Sequence, residues 1–196
     1  MISNSLEKEM PFFGGVIHQF NNWMGGIIGH SDLALSSDDP AELKESLNIA
    51  LELSERSTEL LGALSQFRAE KPGNIRSGDL ADIGRQVRIL TDNWLKEKGL
   101  EVSEDLEPAF SEKMDSALVR ITLIDDIRLL IDTMPSGATV EYNSGLSDNR
   151  PFVGFKTRID KTELNGELPL TEPVESSLRR EIEISETGNL SLKLFA

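Results

Sequence analysis

The sequence predicts an α+β protein in which an antiparallel helical hairpin precedes an α/β sandwich. Residues 5–67 carry apolar side chains at alternating intervals of three and four, which is the spacing of amphipathic helices. Residues 79–196 mix two further helical stretches with short alternating runs that are typical of strands. A linker containing proline and glycine, AEKPGNIRSGD at 69–79, separates the two patterns. We therefore expect two domains, 1–70 and 71–196.

The hairpin consists of a helix over residues 5–36 and a second helix that ends near Phe67. Asp39 supplies an N-cap, Pro40 the first helical position and Glu42 an acid in the first turn. One hairpin buries only one side of each helix, so we expect two copies to pair in a dimeric four-helix bundle. The alternative is that residues 70–196 cover the apolar stripe. The stripe of the first helix contains Phe13, Val16, Ile17, Phe20, Trp23, Met24, Ile27, Ile28 and Leu35.

The second domain begins with a predicted helix over residues 79–98, which Gly99 ends. The run LEVSEDL follows as a strand, and a second helix is predicted over 112–133, before the Met-Pro-Ser-Gly stop at 134–137. Four further strands are predicted, the last two joined by a turn at SETGN. Their sequences are ATVEY, FVGFKTRI, EIEIS and LSLKLF.

Composition narrows the classes of function. A net charge of −14 disfavours binding to nucleic acid or to an anionic membrane, and it favours a partner with a basic docking face. The absence of cysteine excludes disulfides and thiolate metal sites. No apolar run reaches the length of about 18 residues that a membrane span needs. The N-terminal MISNSLEKEM is not a secretory signal, so we expect a cytoplasmic protein.

A candidate site surrounds His18. On a helical wheel this histidine shares one face with two asparagines and several glycines, at spacings of three and four. Glycine on that face permits close approach of another surface. The alternative is that a neighbouring helix of the same protein packs there and His18 is an ordinary surface histidine. His30 lies twelve residues further on, too far to share a metal ion, so no metal site is expected. The small and amide residues of the face are Gly14, Asn21, Asn22, Gly25 and Gly29.

Residues 14–35, GGVIHQFNNWMGGIIGHSDLAL, resemble the phospho-acceptor segment of sensor histidine kinases. The resemblance implies a dimerisation and histidine-phosphotransfer hairpin followed by an ATP-binding domain. It implies that His18 carries a phosphoryl group and that Asn22 positions a water molecule for phosphatase action. Gln19 stands where the family has an aspartate or glutamate that acts as general base. Because an amide cannot accept a proton usefully near pH 7, the resemblance does not extend to autophosphorylation with ATP.

The ATP-binding motifs of the family are missing. Asp125 and Leu129 fall where the family has the asparagines that hold Mg²⁺, and no asparagine occurs between Asn93 and Asn143. Neither Asp148 nor Asp160 begins the glycine-rich motif that contacts adenine, and the glycine-rich lid is also missing. The terminal EISETGNLSLKLF still resembles the kinases' closing hairpin. We therefore expect a degenerate histidine-kinase-type ATPase sandwich that binds no ATP.

The leading hypothesis is a homodimeric histidine phosphotransferase of a two-component phosphorelay. It would exchange a phosphoryl group between His18 and the aspartate of response-regulator receiver domains, with Mg²⁺ supplied on the receiver side. The candidate site residues are His18, Asn22 and Gln19, and a sensor kinase is a further candidate partner. The alternatives are a non-catalytic module that binds and regulates a response regulator or kinase, a phosphatase acting through Asn22, and a kinase with an unorthodox ATP site.

Overall fold

The protein forms two compact units, Met1–Ser65 and Gln66–Ala196. They are seen in a computed structural model, which describes residues 3–107, 111–131, 134–158, 178–184 and 189–195. The second unit begins within a helix, because the last turn of the second helix follows Ser65.

The first unit is built on two long helices, α1 (Ser3–Ser36) and α2 (Pro40–Ala69). The predicted start of α2 is confirmed. The Asp39 carboxylate accepts a hydrogen bond from the Ala41 N–H at 2.8 Å, and its carbonyl accepts the Leu43 N–H at 2.9 Å. This cap ends the three-residue connection and reverses the chain into a helical hairpin.

The helices of the hairpin pack through small residues. A methyl group added at Gly26 would lie 2.6 Å from Cδ1 of Leu53, so the absence of a side chain at Gly26 allows this contact. Leu60 is completely buried. Among the side chains of residues 13–69, the other buried apolar ones are Val16 and Ala34 on α1 and Ala50 and Ala63 on α2.

The apolar stripe of α1 is divided between two faces. Val16 is buried, whereas Ile17, Met24, Ile28 and Leu35 are exposed, the last by 87%. The exposed members recur at intervals of seven, four and seven residues, so they line one face of the helix. We call these four residues the exposed seam. On α2 the exposed large apolar side chains are Leu43, Leu47, Leu51 and Leu61.

The second unit contains two helices and seven strands among its described residues. Five strands form a sheet in the order β2-β4-β5-β7-β6, in which only the β2–β4 pairing is parallel. The predicted mostly antiparallel sheet is confirmed, while the predicted SETGN turn lies largely outside the described residues. The elements are β1 (Ile75–Asp79), α3 (Leu80–Glu97), β2 (Glu101–Leu106), β3 (Ser111–Asp115), α4 (Ser116–Ile131), β4 (Thr139–Ser147), β5 (Arg150–Arg158), β6 (Arg179–Ile184) and β7 (Asn189–Phe195).

Two predictions about this unit were wrong. The linker contains β1, and the first residues of the helix predicted over 112–133 form β3, which pairs with β1 in a separate antiparallel ribbon. The helix begins only after Asp115, whose Oδ1 accepts the Leu118 N–H at 3.0 Å. The other oxygen of this carboxylate accepts the Gly73 N–H. The linker is thus fastened to the start of α4.

Helix α3 lies directly on the sheet. A methyl group added at Gly84 would lie 3.0 Å from side-chain atoms of both Leu106 and Val153, so glycine permits the close approach. The Thr91 and Tyr142 hydroxyls hydrogen-bond at 2.7 Å and join α3 to β4. The predicted end of the helix at Gly99 is confirmed, with a positive φ of 71°.

Helix α4 is joined to the sheet edge by a buried ion pair. Arg180 of β6 donates Nε to Asp126 Oδ2 at 3.1 Å and Nη2 to Oδ1 at 2.5 Å. The Asp126 side chain is completely buried and that of Arg180 is 6% exposed. Burial raises the pKa of Asp126 to about 7, although the Arg180 charge opposes this shift.

Candidate functional site

The His18 side chain is exposed on α1, and Asn22 is exposed one turn further along the same face. The structure therefore brings together two of the three predicted site residues. The turn that carries them is regular α-helix. A rigid helix of this kind holds an exposed side chain in a fixed direction, which suits a reaction that requires alignment of two partners.

The glycines around His18 differ in their surroundings. A methyl group added at Gly14, Gly25 or Gly29 would meet no heavy atom within 4 Å outside the helix itself. Gly26, by contrast, faces Leu53 of α2. Gly26 therefore allows packing within the hairpin, whereas the other three leave open space on the side of the histidine.

Gln19 does not share the face of His18. It is only 4% exposed, because one residue along a helix turns the side chain by about 100° and directs it toward the hairpin interior. The third predicted site residue is thus separated from the other two. A helical wheel contains this signal, since Gln19 falls on the same side as Val16 and Trp23.

The apolar pattern of the first helix did not distinguish the exposed seam from the buried residues of the hairpin. Ile17 directly precedes His18 and is 57% exposed, and Ile28 is 60% exposed. The seam therefore runs along α1 beside the face that carries His18 and Asn22.

An imidazole in this position can act as a nucleophile. Neutral imidazole is reactive near pH 7, and its attack on a phosphoryl group needs an open line of approach. Among the residues that the structure describes, no group of three or more histidines and carboxylates could hold a metal ion.

The residues that align with the kinases' ATP motifs are dispersed. Asp125 is half-buried on α4, and Asp148 lies in the tight turn between β4 and β5, with a positive φ of 52°. Asp160 lies outside the described residues, as does the side chain of Leu129. Asp126, adjacent to Asp125, is paired with Arg180.

The chain was compared with known protein families, curated proteins and solved structures. No protein-family model matches the sequence, and no curated protein matches it. Among solved structures, the histidine kinase AdeS of Acinetobacter baumannii aligns at 17% identity over 92% of this chain and 93% of its own, with a TM-score of 0.49. The nucleotide-free catalytic domain of the histidine kinase ThkA aligns at 14% identity over 62% of this chain and 97% of its own, with a TM-score of 0.50. ThkA in complex with the response regulator TrrA aligns at 16% identity over 98% of this chain and 63% of its own, with a TM-score of 0.48.

The chain has a histidine-kinase-like fold, in which a helical hairpin precedes an α/β sheet region. The predicted α+β arrangement and the resemblance to a histidine-kinase fold are therefore confirmed, whereas the dimeric four-helix bundle stays a prediction. None of the described helices has both the length and the apolar character required to cross a bilayer.

Proposed function

We propose that this protein is a histidine phosphotransferase that exchanges a phosphoryl group between His18 and the aspartate of response-regulator receiver domains. The observation that carries the proposal is the exposed His18 on a helix face where Gly14, Gly25 and Gly29 leave open space. A receiver domain could approach the helix closely there. We place the reaction in the cytoplasm, with a sensor kinase as a further candidate partner.

In this transfer, the main contribution of the hairpin is to position the His18 ring. When the His18 ring attacks an aspartyl phosphate, a P–N bond forms, the P–O bond breaks and the aspartate leaves as a carboxylate. The receiver's Mg²⁺ stabilises the charge on the phosphoryl oxygens. The reverse transfer passes the group to a second receiver.

In this proposal two copies of the protein pair through their hairpins. The four side chains of the exposed seam recur at helical spacing, and Leu43, Leu47 and Leu51 are also exposed on α2. Apolar stripes of this extent usually lie against a partner in a bundle. A second copy of the hairpin would bury them and leave the His18 face accessible.

The proposed reaction does not use ATP. The family's Mg²⁺-binding amide has no counterpart on α4, since no asparagine occurs between Asn93 and Asn143. The neighbouring carboxylate Asp126 is committed to Arg180. These residues do not fit a metal–nucleotide site of the kinase type. Mg²⁺-dependent ATP binding by calorimetry would contradict this part of the proposal.

The deciding experiment mixes the protein with a receiver domain whose aspartate carries labelled phosphate. We expect label on the wild type and none on His18→Gln. His30→Gln is the matched control, because His30 is the only other histidine and it should leave labelling unchanged. Absence of label on the wild type, or equal label on His18→Gln, would refute the proposal.

Phosphatase action is the second candidate, favoured by the exposed Asn22 on the face of His18. An amide there could position a water molecule against the receiver's phosphoryl group. Faster loss of label from the receiver, abolished in Asn22→Ala but kept in Asn21→Ala, would support it. A purely sequestering module would instead keep its binding and its biological effect in His18→Gln.

A further inference from the structure

Arg120 of α4 is a buried cation whose hydrogen bonds are incomplete. Its exposed fraction is 2%. Among the residues that the structure describes, neither Nε nor Nη1 of this side chain has a hydrogen-bond partner, and both atoms are buried. A guanidinium carries five N–H groups, and burying them unpaired costs free energy. The two nitrogens therefore need acceptors that the described side chains do not supply.

Within the described part of the chain, the one ion pair of Arg120 is with Glu70, which directly follows α2. Nη2 of Arg120 lies 3.1 Å from Oε2 of Glu70. That carboxylate oxygen makes no hydrogen bond, so the contact has the distance of an ion pair without the alignment of a strong one. The Glu70 side chain is 26% exposed, whereas that of Arg120 is 3% exposed. Glu70 can therefore turn toward solvent while the cation stays buried.

The segment that follows α2 is basic, in contrast to the chain as a whole. Residues 68–76, RAEKPGNIR, contain three cations and one acid, whereas the whole chain has a net charge of −14. The three cations, Arg68, Lys71 and Arg76, are all exposed. Asp115 of β3 also contacts this segment, but both oxygens of its carboxylate accept backbone N–H groups. The segment therefore carries a local positive charge, which attracts anions.

We propose that Arg120 binds a phosphate ion, which displaces the carboxylate of Glu70. One edge of a guanidinium presents Nε–H and Nη2–H in parallel, and this pair matches two oxygens of an oxyanion. A phosphate on that edge supplies the acceptor that Nε lacks and replaces Glu70 at Nη2. Phosphate carries more negative charge near neutral pH than the single carboxylate that it replaces, so the basic segment favours the exchange. The proposal concerns the sandwich alone and does not depend on transfer through His18.

The first experiment measures how phosphate stabilises the sandwich. Urea unfolding is followed in a Trp23→Phe background, where Trp94 is the remaining tryptophan, in phosphate and in chloride of equal ionic strength. An ion that binds the folded state raises the unfolding midpoint as its concentration exceeds its dissociation constant. We expect the midpoint to rise more steeply with phosphate when Arg120 is present than in Arg120→Met. Arg150→Met is the matched control, because it removes an exposed arginine of β5, and it should keep the full response.

The second experiment removes the competing charge with Glu70→Gln, which alters a partly exposed side chain. Its apparent dissociation constant for phosphate should be roughly tenfold lower than that of the unaltered site. Acetate at the same concentration should stabilise Glu70→Gln less than phosphate does. This variant keeps the test decisive when Arg120→Met does not fold.

Two results would overturn the proposal. Equal phosphate responses with Arg120 present and in Arg120→Met would mean that the ion stabilises by exclusion from the protein surface, and that water satisfies the buried donors. A response of Glu70→Gln to phosphate that is no larger than that of the unaltered site, or smaller than its response to acetate, would show that phosphate does not compete for the guanidinium.

Discussion

The hairpin and the sandwich differ in how much apolar surface they expose. Of the twelve large apolar side chains that are exposed among the described residues, nine lie on α1 and α2. The sandwich instead buries charged and polar groups, including Arg120, Asp126 and Asn143, at 2%, 0% and 3% exposure. Within the sandwich, Arg120 is paired with Glu70 and Asp126 with Arg180, whereas the hairpin exposes most of the large apolar side chains that remain in contact with solvent.

The two tryptophans make this comparison measurable. Trp23 lies on α1 and Trp94 on α3, and the chain contains no others. Fluorescence of Trp94→Phe therefore reports on the hairpin, and fluorescence of Trp23→Phe reports on the sandwich.

The largest expected effect is on self-association. Ile28→Asp places a charge in the exposed seam of each copy, and burying two such charges costs several kcal/mol. The dimer dissociation constant should rise at least roughly 1000-fold, which light scattering over a dilution series would detect as a monomer.

Leu146→Asp is the matched control, because Leu146 is 52% exposed on the sandwich and Ile28 is 60% exposed on the hairpin. It should leave the mass in solution unchanged. A dimer that survives Ile28→Asp, or a monomeric wild type, would show that the exposed seam is not a dimer interface.

The next effect is confined to the sandwich. Arg180→Met removes the cation that favours ionised Asp126, so the free energy of unfolding should fall by about 3 kcal/mol near pH 9, where the wild-type carboxyl is ionised, and by less near pH 6, where it is protonated. Urea titration followed by Trp94 fluorescence measures this loss in the sandwich. The same titration followed by Trp23 fluorescence should give the wild-type free energy of unfolding for the hairpin.

The double variant Asp126→Leu with Arg180→Met separates pairing from packing. It removes both charges together, so its stability should return to within about 1 kcal/mol of wild type. Additive losses from the two substitutions would mean that the side chains act independently and that the ion pair does not hold α4 to the sheet edge.

The smallest effect distinguishes two adjacent glycines of the hairpin. Gly25→Ala should raise the free energy of unfolding by about 0.5–1 kcal/mol, because alanine favours helix and the added methyl group meets open space. In Gly26→Ala the added methyl group would lie 2.6 Å from Cδ1 of Leu53 and must displace it. The free energy of unfolding of Gly26→Ala should therefore be about 1–2 kcal/mol lower than that of Gly25→Ala. Trp23 fluorescence in urea gives both values, and equal values would show that the hairpin tolerates the extra methyl group.

Local patterns explain which elements were predictable. The hairpin helices follow from apolar spacing and from the Asp39 cap, both of which depend on neighbours in the chain. The ribbon of β1 and β3 was missed because its strands have five residues each and little apolar alternation, and Ile75 is 67% exposed. Met114 lies four residues before Leu118, a spacing that favours helix, so β3 was assigned to α4.

The candidate site was predictable only in part. The exposure of His18 and Asn22 agrees with their shared helical face, which spacing alone defines. The family comparison grouped Gln19 with them by position in the chain, whereas the structure buries it. The pair of Asp126 and Arg180 joins residues 54 positions apart, and no local pattern reveals such a contact.

Asp115 constrains the length of the segment between α2 and α3, which lies within the second unit. One of its oxygens accepts the Gly73 N–H and the other accepts the Leu118 N–H, while its backbone is in register with Ile75. At the other end of β1, Asp79 caps α3 by accepting the Ala81 N–H. These contacts fix both ends of residues 73–79. One inserted residue would therefore turn the side chains of β1 to the opposite faces of the ribbon or break one of the two caps. This segment should therefore tolerate substitution more readily than insertion.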